Sequence, residues 1–352
     1  MTRQLKYFEA LREAQDVCLE RDDDVYLMGL GVPGPTGIFG TTTGLVEKYG
    51  TDRVIETPSA ENGFTGVALG TAIMGQRPIV VHMRVDFALL SIEPLINQAA
   101  KWHYMYGGKM KAPMVIRMII GRGWGQGPQH SQALHSWFAH VPGLKVVMPT
   151  TPYDAKGMMI AAVEDDAPVV VLEHRWLYGI SGDVPEGHYT VPLDKAAVRR
   201  TGKDITIAGV SFMVIEALRA ADMLADMGID AEVIDLRNLT ELDEDAVLNS
   251  VKKTGALMVA DTDHLPYGVT SEVISIVAEK AHGALKHAPK KIGLPFAPSP
   301  TSPALADNFY PTARTLVQGV MEMFGIDQSK LPPDIDTRVW RDQPDPTFTG
   351  PY

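Results

Sequence analysis

Short runs rich in valine and isoleucine recur along the first half of the chain and alternate with segments of helical period. DVYLMGL (24–30), PIVVHMR (78–84), PMVIRMII (113–120), KVVMP (145–149) and PVVVLEH (168–174) predict strands. Between them ENGFTGVALGTAIMG, the stretch 89–106 and TPYDAKGMMIAAVED predict helices. Unbroken apolar strands joined by helices predict a mainly parallel sheet covered on both faces. A polar segment bearing Gly and Pro follows, and then the alternation restarts. ITIAGV (205–210), AEVIDL (231–236) and ALMVAD (256–261) predict strands, and the helix after the first of them sets Val214, Leu218, Ala221 and Ala225 on one face. The expected fold class is α/β in two domains, 1–185 and 203–325, with a linker at 186–202. Residues 326–352 hold five prolines and little periodicity, which predicts an extended arm.

Composition narrows the function. With 45% hydrophobic and 21% charged residues the chain reads as an ordinary globular protein. A formal charge of −11 and the absence of any Lys/Arg run argue against nucleic acid or an anionic membrane as partner, leaving small molecules or other proteins. Cys18 is the only cysteine, so no intrachain disulfide forms. With Tyr7, Leu11 and Ala14 it falls on one helical face, which predicts a core position. The N-terminus, MTRQLKYFEALREAQ, is amphipathic and charged, and no segment has the run of about 18 apolar residues that a membrane span needs. A cytoplasmic location is expected.

GLGVPG (29–34) follows a strand and matches GxGxxG, but Pro33, Pro35 and TGIFGTTTG continue as loop where a pyrophosphate site requires a helix. His130, His135 and His140 step by five residues, about 140° apart on a helix, so they do not make a zinc face. No GxSxG elbow occurs. Three residues at element edges remain. Glu61 opens a helix after TPSA, as a carboxylate that interacts with the helix dipole or as a functional acid. Gly66 and Gly70, four apart, predict close packing of that helix and a partly buried Glu61. Phe87 ends the strand VVHMRVDF at the carboxyl edge, where parallel sheets bind ligands, and reads as a core aromatic or as a ligand contact. His130 ends the glycine loop GRGWGQGPQ at the start of a predicted helix, as a capping or solvated histidine or as one held against a ligand.

ETPSAENGFTGVALGTAIMGQRPIV, VDF, QAAKWHYMYGGKMKAPMVIR, GPQHSQALHSWFAHVPGLKVVMPTTPYDAKGMMIAAVEDDAPVVVLEHRWLYG and LDEDAVLNSVKKTGALMVAD closely resemble the beta subunit of the thiamine diphosphate-dependent 2-oxo acid dehydrogenases. That family includes the pyruvate, branched-chain 2-oxo acid and acetoin enzymes, and the likeness spans about residues 4–325. It implies a transketolase-like pyrimidine-binding domain followed by a transketolase C-terminal domain. It also implies roles. Glu61 would hydrogen-bond the aminopyrimidine ring of thiamine diphosphate, Phe87 would pack on that ring, and His130 would face the substrate and an incoming lipoyl group. Main-chain carbonyls of Met114, Ala162, Val163, Asp165 and Ala167 would bind a structural potassium ion.

The family holds its diphosphate through magnesium on a GDG motif, and this chain has none; SGDVPEG (181–187) is a poor substitute. By resemblance that half of the site belongs to an alpha subunit in an α2β2 heterotetramer. Several positions depart from the family pattern. GLGV places Leu30 and Gly31 where an acidic pair is usual, PSAE replaces P-I-S-E, the strand before Phe87 lacks its usual acid, and Leu90 stands where pyruvate-specific members have glutamine. Arg84 either faces the pocket, favouring an acidic or larger substrate, or points to solvent or to an acid of the alpha subunit. The leading expectation is a beta subunit that decarboxylates a 2-oxo acid, or cleaves an acyloin, and passes the acyl unit to a lipoyl acyltransferase core. One alternative is a free-standing two-subunit enzyme with a carbonyl acceptor. Another is a non-catalytic scaffold for an alpha subunit.

Overall fold

The computed structural model describes residues 2–122 and 125–331. Most of the predicted C-terminal arm lies outside the described residues. These form two compact units, the first from 2–121 and 137–193, the second from 122–136 and 194–331.

The first unit is built on six parallel strands, β2 (Val25–Gly29), β3 (Val54–Glu56), β4 (Arg77–His82), β5 (Val115–Ile120), β6 (Lys145–Val147) and β7 (Val169–His174), in the order β3-β2-β4-β5-β7-β6. Every residue of β2, β5 and β7 is buried, which is why these runs are mostly apolar and do not alternate, Arg117, Glu173 and His174 being the exceptions in β5 and β7. A ribbon outside this sheet, β1 (Thr2–Lys6) paired antiparallel with β8 (Ser181–Pro185), was not evident from the sequence pattern. The helix Tyr7–Arg21 turns Tyr7, Leu11, Ala14 and Cys18 inward as its period predicts. Burial pushes the Cys18 thiol up to about 12, so it stays a neutral core residue. Against this helix packs Pro152–Glu164, which begins with Thr151 Oγ1 accepting from the Asp154 N–H at 3.1 Å and with proline in its first turn.

An ion pair lies in the middle of this unit. Arg117 of β5 donates from Nε and Nη2 to the two carboxylate oxygens of Glu173 on β7, at 2.5 and 2.8 Å, and from Nη1 to Gln15 at 2.8 Å. Tyr178 donates to the same carboxylate at 2.6 Å. Each group therefore has partners that offset its burial, and the pair joins two neighbouring strands to the first helix.

The stretch 89–106, read as one helix, changes pitch twice. A 3₁₀ turn covers Leu89–Ser91, a wide π-helical segment Glu93–Ala99, and an α-helix Ala100–Met105. Pro94 has no N–H to donate within this segment, so a regular α ladder cannot run through it.

The second unit has five strands in the order β13-β12-β10-β11-β9, comprising β9 (Ala197–Arg200), β10 (Ile205–Gly209), β11 (Ala231–Asp235), β12 (Leu257–His264) and β13 (Lys290–Leu294). All pairings are parallel except that of β9 with β11. Helix Phe212–Asp226 packs Met213, Val214, Ala217, Ala221 and Leu224 onto the sheet, beside Leu316, Val317 and Val320 of the helix Ala313–Met323. Among the described residues no helix is long and apolar enough to cross a membrane.

Candidate active site

The carboxyl edge of the first sheet gathers several of the residues that the sequence singled out. β4 ends at His82, and Met83 and Arg84 lead into a short helix, Val85–Ala88, that carries Phe87 partly buried. Glu61 occupies the first turn of Glu61–Ile73, next to Ala60, which has φ −146° and ψ 62° and donates no side-chain cap. A carboxylate there meets the positive end of the helix dipole, and it is partly buried as expected. The reason given for that burial fails, because a Cβ added at Gly66 or Gly70 meets nothing within 4 Å. The glycine face of this helix is open within the chain.

Ser91 joins the two elements. Its hydroxyl donates to the Glu61 carbonyl at 3.1 Å, accepts from Thr65 Oγ1 at 3.0 Å and lies 3.4 Å from His82 Nε2. The segment bearing Phe87 is thereby fixed to the turn bearing Glu61. Burial drives the His82 pKa down to about 4, so its imidazole is neutral at physiological pH, with the Phe64 ring 5.3 Å away.

Arg84 does not point to solvent. It is 4% exposed and donates from Nη1 to the Gly121 carbonyl at 2.9 Å, at the end of β5. Only glycine suits that end: Gly121 has φ +92°, and a Cβ would lie 2.5 Å from His174 Nε2. Leu30 and Leu90, 37% and 65% exposed, follow β2 and the Phe87 helix, and both add apolar surface. The GLGVPG turn is no phosphate cradle. The Gly31 N–H donates to Glu56 Oε1 at 2.8 Å, and the next helix begins only at Leu45.

His130 lies in the second unit, exposed, in a turn whose N–H donates to the Gly127 carbonyl at 3.4 Å. The helix predicted to start there starts at His135, so His130 is not a helix cap. Its loop is held at several points. The Arg122 guanidinium lies 4.3 Å from the Tyr310 ring centre and 5.6 Å from that of Phe212. Gly125 and Gly127 have φ of +67° and +69°, and a Cβ at Gly127 would meet Thr301 Oγ1 at 2.7 Å. His135 Nε2 lies 2.8 Å from Asp261 Oδ2, both fully buried.

Residues 3–181 match the family Transketolase, pyrimidine binding domain, and residues 194–316 match Transketolase, C-terminal domain. The chain is 43% identical to the acetoin:2,6-dichlorophenolindophenol oxidoreductase subunit beta of Cupriavidus necator, over 89% of this chain and 95% of that one. It belongs to the transketolase-type family of dehydrogenase beta subunits. The corresponding acetoin subunit of Bacillus subtilis is 39% identical over 92% of this chain and 98% of its own. The pyruvate dehydrogenase E1 component subunit beta of Rickettsia felis is 43% identical over 84% and 92%. A solved split-gene transketolase chain, from an inactive beta4 tetramer, superposes with a TM-score of 0.74 at 22% identity, covering 92% of this chain and 99% of that one. That likeness supports the two-domain α/β fold.

Membership implies thiamine diphosphate, and this beta subunit suits the pyrimidine end of it. Glu61 and Phe87 stand on elements tied through Ser91, and Thr57 Oγ1, just before the Glu61 helix, is buried with no hydrogen-bond partner among the described residues. Among the described residues no group of three His, Cys, Asp or Glu that could hold a metal ion occurs. Three of the five carbonyls expected to bind potassium already accept a hydrogen bond. That of Met114 accepts from the Val169 N–H at 3.0 Å, and those of Val163 and Asp165 accept from Arg77 Nη1 at 2.9 and 3.0 Å.

Ser91, His82 and the His135–Asp261 pair were missed from sequence. The pair left a signal: Asp261 and Asp263 alternate at the end of an apolar strand, so both carboxylates share one face and need a cation.

Proposed function

We propose that this beta subunit completes, with an alpha subunit, a thiamine diphosphate enzyme that cleaves a small 2-oxo acid or acyloin and passes the acyl unit to a lipoyl acceptor. The observation that carries the reading is the bridge from Ser91 to the Glu61 carbonyl, which holds an acid and an aromatic ring at one sheet edge. Thiamine diphosphate, when bound, supplies the electron sink for the carbon that loses its partner. Glu61 would hold the pyrimidine end and share a proton with its ring nitrogen. Phe87 would pack on the ring, and Ser91 with Thr65 would keep the Glu61 turn from shifting. His130 would exchange protons with the substrate and meet the incoming acceptor. The alpha partner would bring magnesium and the diphosphate half of the site, in an α2β2 assembly.

Two observations favour an uncharged or short substrate. The relatives named for acetoin match over nearly their whole length, and Leu30 and Leu90 offer apolar surface while Arg84 is committed to Gly121. The test is reconstitution with the alpha subunit, followed by acetoin-dependent dye reduction and carbon dioxide release from a panel of 2-oxo acids. Turnover that requires both subunits and transfers to a lipoylated domain supports the reading. Turnover with a carbonyl acceptor alone supports the free-standing enzyme, and no thiamine diphosphate binding by the complex supports the scaffold.

A further inference from the structure

His135 and Asp261 stand apart from the groups to which the proposed chemistry assigns a role. His135 lies five residues beyond His130, and Asp261 lies on β12 of the same unit. The carboxylate accepts at 2.8 Å, with Asp263 Oδ2 at 4.0 Å, and His135 is wholly buried. The Nδ1 of His135 has no hydrogen-bond partner among the described residues, so the ring is held by the Nε2 bond alone. Asp261 is itself fixed, its Oδ1 accepting from the Thr262 N–H at 2.6 Å, and Asp263 Oδ1 accepts from the His264 N–H at 2.7 Å. On the far side of the loop Arg122 rests on Tyr310 and Phe212. A segment rich in glycine costs much backbone entropy to order, and these anchors offset that cost.

We propose that the His135–Asp261 pair is a clasp by which the second unit positions the loop bearing His130, making Asp261 a positioning residue for the reaction. This rests on the reading of His130 given above. A pair with one bond and no exposure is an all-or-none latch: removing either partner leaves a buried polar group unpaired. The clasp is also sensitive to alkali. Burial disfavours the imidazolium, but the charge and hydrogen bond of Asp261 and the charge of Asp263 outweigh it and take the His135 pKa to about 9. The titratable groups acting on His135 are these two, both from β12. Because the folded pKa lies above the unfolded value of 6.5, the charge-assisted part is present in full below pH 6.5 and is lost as pH rises through about 9.

The test uses the full chain with its alpha partner, as wild type, His135→Gln, Asp261→Asn and Asp263→Asn. Amide hydrogen exchange across 125–136, corrected for the intrinsic effect of pH, is read from near pH 7 to near pH 10. Wild type loses protection ~10-fold over that range, whereas His135→Gln and Asp261→Asn start at the lower level and lose no more. Both variants lower kcat ~10-fold, with KM and thiamine diphosphate affinity within about twofold. Asp263→Asn keeps the direct bond, so it is protected at neutral pH and loses protection at a lower pH than wild type. Wild-type protection and kcat in folded His135→Gln or Asp261→Asn would overturn the clasp. So would an unmoved alkaline midpoint in Asp263→Asn, which also decides the matter if the first two do not fold. If the wild-type complex turns over no 2-oxo acid or acyloin, the functional reading fails while the exchange data still judge the clasp.

Discussion

Arg84 holds Gly121 by a hydrogen bond of 2.9 Å from Nη1 to the backbone carbonyl, linking the entry of the Phe87 helix to the end of β5. The guanidinium, buried and donating to a carbonyl, acts as a structural brace. Arg84→Met removes a charged donor from a buried acceptor and should cost about 1.5–3 kcal/mol, read from denaturant unfolding. The ratio of kcat/KM for a dicarboxylic and a monocarboxylic 2-oxo acid should stay within about twofold. A large change in that ratio at unchanged stability would restore Arg84 to the pocket.

Glu173 accepts from Arg117 and Tyr178 in the middle of the first unit, fully buried. Glu173→Gln strands the Arg117 charge there, and roughly 3–5 kcal/mol should be lost in equilibrium unfolding. Replacing both partners with apolar residues should recover part of it. A single variant as stable as wild type would show that the Arg117 charge is already compensated elsewhere.

His82 sets an acid limit. Its folded pKa of about 4 lies below the unfolded 6.5, so the unfolded chain takes up a proton first as pH falls. Stability contributed by this site should drop by about 1.4 kcal/mol per pH unit between those values. His82→Leu should flatten that slope in unfolding curves collected across the window. An identical slope in the variant would mean that His82 is hydrated in the folded state.

The two-domain α/β fold was legible because fully buried parallel strands are mostly apolar, and runs such as PVVVLEH and ITIAGV, despite the buried Glu173 and Thr206, admit few other readings. β1 and β8 were not, since TRQLK and SGDVP owe their pairing to each other across the chain and carry no local strand pattern. Glu61 was found at a helix start, which local rules identify well, whereas Phe87, read as the end of a strand, lies in the helix Val85–Ala88 beyond the end of β4 at His82. Their connection through Ser91 depends on the packing of a 3₁₀ turn against a helix start, and no spacing rule encodes that. The burial of Arg84 was not legible, because the residue looks like a surface cation until the Gly121 carbonyl is seen. His135 was weighed only as a metal ligand, and its partner lies 126 residues away.

The most direct measurement compares wild type with Glu61→Gln, each reconstituted with the alpha subunit, for thiamine diphosphate binding and for turnover of acetoin and of 2-oxo acids. Gln keeps the shape of the helix start and removes the acid, so the variant should assemble normally and lose ~10²-fold or more in kcat. Equal turnover by the two complexes would contradict the role given to Glu61 and, with it, the active site described at the edge of the first sheet.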